Sequence, residues 1–166
     1  MNVADSQRLA SALERLGYSE SPIIEEADVI VLNTCMVRQS AEDKAIGRLS
    51  SLKPLKKKNP DLVLGVMGCM VGFKDQTEIR KKLPYVDVFA PPSDPKPIID
   101  FLIRQEYIGE ASASRNVETD TVWEPGKLTL PASRRKKSVA GFIPIVYGCS
   151  HACAYCINPY KRGAER

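Results

Sequence analysis

Asp28-Val29-Ile30-Val31-Leu32-Asn33 and Leu62-Val63-Leu64-Gly65-Val66-Met67 are the two stretches on which the fold turns. Each is a short, almost unbroken apolar run, rich in β-branched residues and closed by polar residues or glycine. Such runs fit strands buried on both faces of a parallel sheet. Between them, a helical pattern from about Ala41 places Ile46, Leu49 and Leu52 inward, with Pro54 and Lys56-Lys57-Lys58 near its end. Upstream, Leu9, Leu13 and Leu16 recur at helical spacing before Gly17, a residue that tolerates the left-handed conformation closing a helix. Downstream, Thr77 to Lys82 reads as a short helix, Val86-Asp87-Val88-Phe89 as a third strand, and Pro97 to Arg104 as another helix. This alternation implies a parallel α/β sheet with helices on both faces, a Rossmann- or flavodoxin-like domain over residues 1–106.

The 166 residues are too few for a complete (β/α)₈ barrel, which needs about 250. Hydrophobic residues make up 43% and charged residues 27%, enough apolar content for a real core. No apolar run approaches the ~20 residues that span a bilayer, and the first residues lack the pattern of a signal peptide. A cytoplasmic location without membrane contact is the expectation. The net charge of +4 is uneven: residues 1–126 carry 16 Lys+Arg and 19 Asp+Glu, residues 127–166 carry 8 and 1. The basic excess is therefore C-terminal, with Arg134-Arg135-Lys136-Lys137 at its centre. It suits either a solvated linker or contact with a polyanion.

From residue 107 to 138 periodicity dissolves, which predicts an inter-domain linker. Ala140 to Tyr147 then reads as a strand, with Pro144 marking an edge. Only 19 residues follow it, so residues 139–166 are expected to be the start of a second domain, cut short.

The five cysteines, an odd number with no secretory signal, point to metal binding or catalysis rather than a disulfide framework. Cys149-Ser150-His151-Ala152-Cys153-Ala154-Tyr155-Cys156 places three thiols in eight residues directly after a predicted strand. Three thiolates can hold three irons of a cubane and leave the fourth open. Zinc is the competing metal, with His151 as its one extra ligand in the run. Cys35 and Cys69 each follow a predicted parallel strand, at the carboxyl ends where open α/β sheets place their ligand crevice. By themselves they read better as two small buried apolar residues. Gly68, before Cys69, would let the backbone approach a bulky ligand.

These residues together resemble the methylthiotransferase family of radical S-adenosylmethionine enzymes. The resemblance runs through Met1-Asn2-Val3-Ala4-Asp5-Ser6, Asn33-Thr34-Cys35, Gly68-Cys69, the Cys149–Cys156 run and Ile157-Asn158-Pro159-Tyr160-Lys161-Arg162-Gly163-Ala164-Glu165-Arg166. In the family the last stretch usually reads CIVPYTRGRER, and Met-Asn follows a first cluster cysteine in GCQMN. Those two features are most similar to the MiaB-type branch that acts on tRNA.

The resemblance implies two [4Fe-4S] clusters and S-adenosylmethionine as cofactors. Cys149, Cys153 and Cys156 would hold the radical-generating cluster in the first strand and loop of a partial (β/α) barrel. Tyr155 would lie near the adenine of the cofactor. Cys35 and Cys69 would be ligands of an auxiliary cluster whose first cysteine stands two residues before the position of Met1, on a strand of its own. The implied partners are the anticodon stem-loop of a tRNA and an electron-donor protein such as a flavodoxin or ferredoxin. The implied reaction adds a methylthio group to carbon 2 of an isopentenylated adenosine, and a chain of this length is expected to be inactive alone. Branches that modify threonylcarbamoyl adenosine or a ribosomal protein share the cysteine pattern, and a non-catalytic metal-binding module is the alternative from another class.

Overall fold

A computed structural model describes residues 2–35, 38–72, 76–108, 145–151 and 153–165. Helix α1 (Asn2–Arg15) opens the chain and ends at Gly17, whose φ is 97°. Strand β1 (Val29–Thr34) leads to α2 (Gln39–Ser51) and α3 (Lys53–Lys58). Then come β2 (Val63–Gly68), α4 (Thr77–Lys82), β3 (Val88–Ala90) and α5 (Lys96–Ile108). A last short helix, α6 (Asn158–Arg162), follows the C-terminal cysteines. The three strands are parallel and lie in the order β1-β2-β3. Among the described residues no helix is long and apolar enough to cross a membrane.

Strand alternation divides the core into two layers. Val63 and Met67 of β2 face one side, where they pack with Leu9 of α1 and Ile98 and Leu102 of α5. Val66 faces the other, against Leu49 of α2 and Phe89, and Leu64 joins Leu52 and Leu62 there. Helices thus cover both faces, as the alternation predicted. β2, central and wholly buried, is the strand that anchors both layers.

Three details differ from the sequence reading. β1 is half-buried along most of its length instead of closed on both sides. The cause is its place at the sheet edge: among the described strands only β2 pairs with it, and its flank borders a cavity of about 750 Å³ shared with α1. Ile46 is 37% exposed, because Ala45 and Leu49, at i and i+4, carry the inward stripe of α2 and Ile46 is rotated away from it. The single helical stretch is split at Leu52 into α2 and α3, and Pro54 sits in the first turn of α3, where a missing N–H costs nothing. The expected strand at 140–147 falls mostly outside the described residues, as does the linker, and the described part, Ile145 to Tyr147, is not in a strand.

Candidate functional site

The carboxyl ends of β1 and β2 are held level by their register, which pairs Thr34 with Gly68. The next residue on each strand is a cysteine. The Cys69 N–H donates to the Thr34 carbonyl at 3.2 Å, extending the ladder by one bond and bringing the two cysteine segments side by side. Cys35 is half-buried and Cys69 is buried. The Thr34 hydroxyl ties the corner, donating to the Met67 carbonyl at 2.8 Å and accepting from the Met70 N–H at 3.3 Å.

Gly68 is required here by the packing of the strand ends. Its φ is +103°, and a Cβ would collide with the Thr34 carbonyl and lie 2.9 Å from Asn33 Oδ1. The close approach that excludes a side chain is to β1 itself. Beyond it, the Val71 and Gly72 N–H groups both return to the Gly68 carbonyl, at 3.0 and 3.2 Å.

The second cysteine set forms a compact loop closed by backbone contacts. The Cys149 N–H donates to Gly163 O, the Cys156 N–H to Cys153 O, and the Glu165 N–H to Ser150 Oγ, each at 3.1 Å. Gly148, with φ of 78°, lies so close to Ala164 that a Cβ would strike its carbonyl oxygen. Cys149, Cys153 and Cys156 consequently line one cavity of about 520 Å³, together with His151 and Tyr160. Tyr155 is 92% exposed and stands outside that cavity wall. Tyr160, four residues beyond Cys156 on α6, is an aromatic of this cavity that sequence reasoning did not single out. A helical offset from the last cysteine was the available signal.

The donor set suits a cluster in kind. Among the described residues no three His, Cys, Asp or Glu side chains converge as ligands of a single metal ion. A cubane makes a different demand, one thiolate on each of three irons, so its sulfurs surround a volume instead of meeting at a point. Three cysteines lining one cavity supply the residue type that demand calls for.

Two contacts bring the loop to the carboxyl end of the sheet. Arg8 of α1 donates to the Tyr147 hydroxyl at 2.7 Å, and its guanidinium lies 5.5 Å from the Tyr147 ring centroid. At Gly72, three residues past Cys69, an added Cβ would lie 3.3 Å from Lys161 Cδ. Both cysteine sets therefore face the same end of the domain, Cys69 and the 149–156 loop each within a few residues of a shared contact. Arg134 to Lys137 lie outside the described residues.

The family model described as "Uncharacterized protein family UPF0004" matches residues 1–91, more than half of the chain. The chain belongs to this family. Relatives with the printed name "tRNA-2-methylthio-N(6)-dimethylallyladenosine synthase" extend the match across the C-terminal cysteines. The protein of Clostridium novyi is 38% identical over 170 residues, covering 100% of this chain and 36% of the relative. That of Clostridium beijerinckii is 39% identical over 167 residues with the same coverage. That of Herpetosiphon aurantiacus is 39% identical over 167 residues, covering 100% of this chain and 34% of the relative. The chain thus spans about a third of the length of these relatives, and the resemblance to the methylthiotransferases holds from end to end.

Proposed function

We propose that this chain is part of a radical S-adenosylmethionine methylthiotransferase that adds a methylthio group to carbon 2 of an isopentenylated adenosine beside the anticodon of a tRNA. The observation that carries the reading is the presentation of two separate cysteine sets at one end of a parallel sheet. A sulfur-transfer reaction driven by a radical needs the sulfur source and the radical source within reach of one substrate atom. The names of the relatives supply the substrate class.

In this reading the Cys149, Cys153 and Cys156 thiolates hold one [4Fe-4S] cluster, and Cys35 and Cys69 are two ligands of an auxiliary cluster. When bound, these groups and S-adenosylmethionine supply one-electron chemistry, sulfur and the methyl group. The protein's own residues do the rest. Gly148 and the Cys149 to Gly163 hydrogen bond fix the loop so that its three thiols surround one volume. The Thr34 hydroxyl and the Gly68 turn hold Cys69 level with Cys35. Tyr155, exposed beside the third cysteine, offers a ring on which an adenine can stack. Lys161 and Arg162, at the same edge, and Arg134 to Lys137 would neutralise phosphates of the RNA, a contribution that falls steeply with salt. A flavodoxin or ferredoxin would deliver the electron.

The test is anaerobic reconstitution with iron and sulfide. The triple variant Cys149→Ala, Cys153→Ala, Cys156→Ala should lose about four irons per chain, one cubane's worth. Iron content unaffected by the triple variant, or one zinc per chain in tetrahedral sulfur coordination, contradicts the reading. Cluster binding without deoxyadenosine formation from S-adenosylmethionine and a reductant, in a protein extended to the length of its relatives, would favour the metal-binding module instead.

A further inference from the structure

Residues 1–126 carry more acid than base, 19 against 16, yet seven of those 16 cations fall in the two short helices α3 and α4. Cations in the last turn of a helix complement its dipole, which suits Lys56 to Lys58 and Arg80 to Lys82. Lys53 opens α3, where the same dipole disfavours it, so helix stability does not account for the whole set. Two of the seven have partners in the fold: Lys56 pairs with Asp87 at 2.9 Å, and Arg80 lies 4.9 Å from the Phe89 ring centroid. Lys57, Lys58, Lys81 and Lys82 are exposed, and Lys53, exposed as well, holds its Nζ 4.6 Å from the Tyr85 ring centroid.

These contacts gather the lysines on one surface. Tyr85 and Asp87 belong to the segment that joins α4 to β3, so the Lys53 and Lys56 contacts tie α3 to the end of α4. The two helices lead into β2 and β3, which are paired neighbours, and both therefore end at the amino edge of the sheet. The acids nearby in the chain are few. Glu78 pairs with Lys81 at 3.8 Å, but the two side chains are 78% and 70% exposed, which makes the pair weak. Asp61 is exposed in the turn after α3.

We propose that this surface binds the phosphate backbone of an RNA, at the end of the sheet opposite the cysteines. Mobile lysine ammoniums suit phosphates as point charges, and contacts of this kind position a nucleic acid without reading its sequence. An acidic electron-donor protein would match the charge equally but not the place. β2 runs for six residues, about 20 Å, between α3 and Cys69. A compact protein docked on α3 and α4 would leave its redox group at the wrong end of the sheet, whereas an RNA carries phosphates along its whole length and spans that distance. That the RNA is a tRNA rests on the function proposed above.

The probe is a tRNA transcript, titrated with the metal-free chain at increasing salt and followed by fluorescence anisotropy. Lys57→Gln, Lys58→Gln, Lys81→Gln and Lys82→Gln together remove four exposed charges and leave the Lys53 and Lys56 contacts in place. The slope of log affinity against log salt should fall in magnitude by about 3, and affinity at low salt by about a hundredfold. Lys96→Gln with Arg104→Gln, on α5 at the other face, should change the slope by less than about 1. An unchanged slope in the quadruple variant overturns the proposal. So does an equal fall per charge in the α5 variant, which would make net charge the whole cause. Loss of affinity for a flavodoxin or ferredoxin with RNA binding intact would assign the surface to an acidic protein and overturn it as well. Because RNA binding is read without iron, its failure is distinguishable from failure of the cluster assignment, which the reconstitution experiment addresses.

Discussion

Replacing Gly68 by alanine is the sharpest perturbation of the site's scaffold. With φ of +103°, an L-residue is held in a sparsely populated region, at about 1–3 kcal/mol. The new methyl also collides with the Thr34 carbonyl, and both Asn33 Oδ1 at 2.9 Å and Thr34 N at 3.0 Å are too near. Two of these three atoms are β1 backbone, so nothing flexible can yield, and overpacking of this kind costs about 1–3 kcal/mol more. The expected loss, about 2–6 kcal/mol, is a large part of the ~5–15 kcal/mol that holds a domain together. Urea unfolding of the metal-free chain, followed by circular dichroism, measures it. Gly47→Ala is the internal control, since no atom lies within 4 Å of its Cβ position in α2 and alanine there should add about 0.5–1 kcal/mol. Because the collision separates the ends of β1 and β2, Gly68→Ala should also lower iron uptake at Cys35 and Cys69 under conditions where the chain remains folded. A loss under about 1 kcal/mol for Gly68→Ala would refute the claim that the strand ends meet as tightly as described.

Thr34→Val, nearly isosteric, leaves the buried Met67 carbonyl and Met70 N–H without the hydroxyl that joins them and should cost about 1–3 kcal/mol in the same urea assay. Asp87→Ala breaks the Lys56 ion pair at 2.9 Å and the bond from the Leu64 N–H at 2.8 Å. With side chains 21% and 24% exposed, the loss should be about 1–3 kcal/mol and change little between low and high salt, whereas a strongly salt-dependent loss would mark the pair as a surface contact. Burial raises the Asp5 carboxyl above its usual value of 3.8, against the opposing pull of Ser93, Arg162 and Arg8. The raised folded-state value means that ionisation disfavours the fold. The penalty is therefore full above the folded value, fades as pH falls through it, and is gone below the unfolded one. The stability advantage of Asp5→Asn over the parent should accordingly shrink between pH 7 and pH 4 in urea unfolding, and a gap that widens would reverse the assignment of cause.

Much of this was legible in the sequence because the sheet is simple. Apolar runs at 28–33 and 62–67 marked β1 and β2 nearly to the residue, since a central parallel strand such as β2 has no polar face to offer. β1 carried the same composition yet has only one partner among the described strands, and composition alone does not report which strand has two neighbours. α6 escaped notice because five residues are too few to show periodicity, and Pro159 reads as a breaker unless its first-turn position is known. At the site, the spacing of Cys149, Cys153 and Cys156 sufficed to place them together. The adjacency of Cys35 and Cys69, by contrast, depended on the register of two strands, a long-range fact. Asp5 and Ser93 are 88 positions apart, and no local pattern connects them.

The account stands most directly on whether the thiols of Cys149, Cys153 and Cys156 hold a cubane with one iron open to a cosubstrate. Electron paramagnetic resonance of the anaerobically reconstituted, reduced protein tests it, in the parent and in the Cys35→Ala, Cys69→Ala variant that isolates this loop. The account predicts a reduced-cluster signal in both that shifts when S-adenosylmethionine is added. A signal indifferent to S-adenosylmethionine, or none at all once Cys35 and Cys69 are removed, would contradict it.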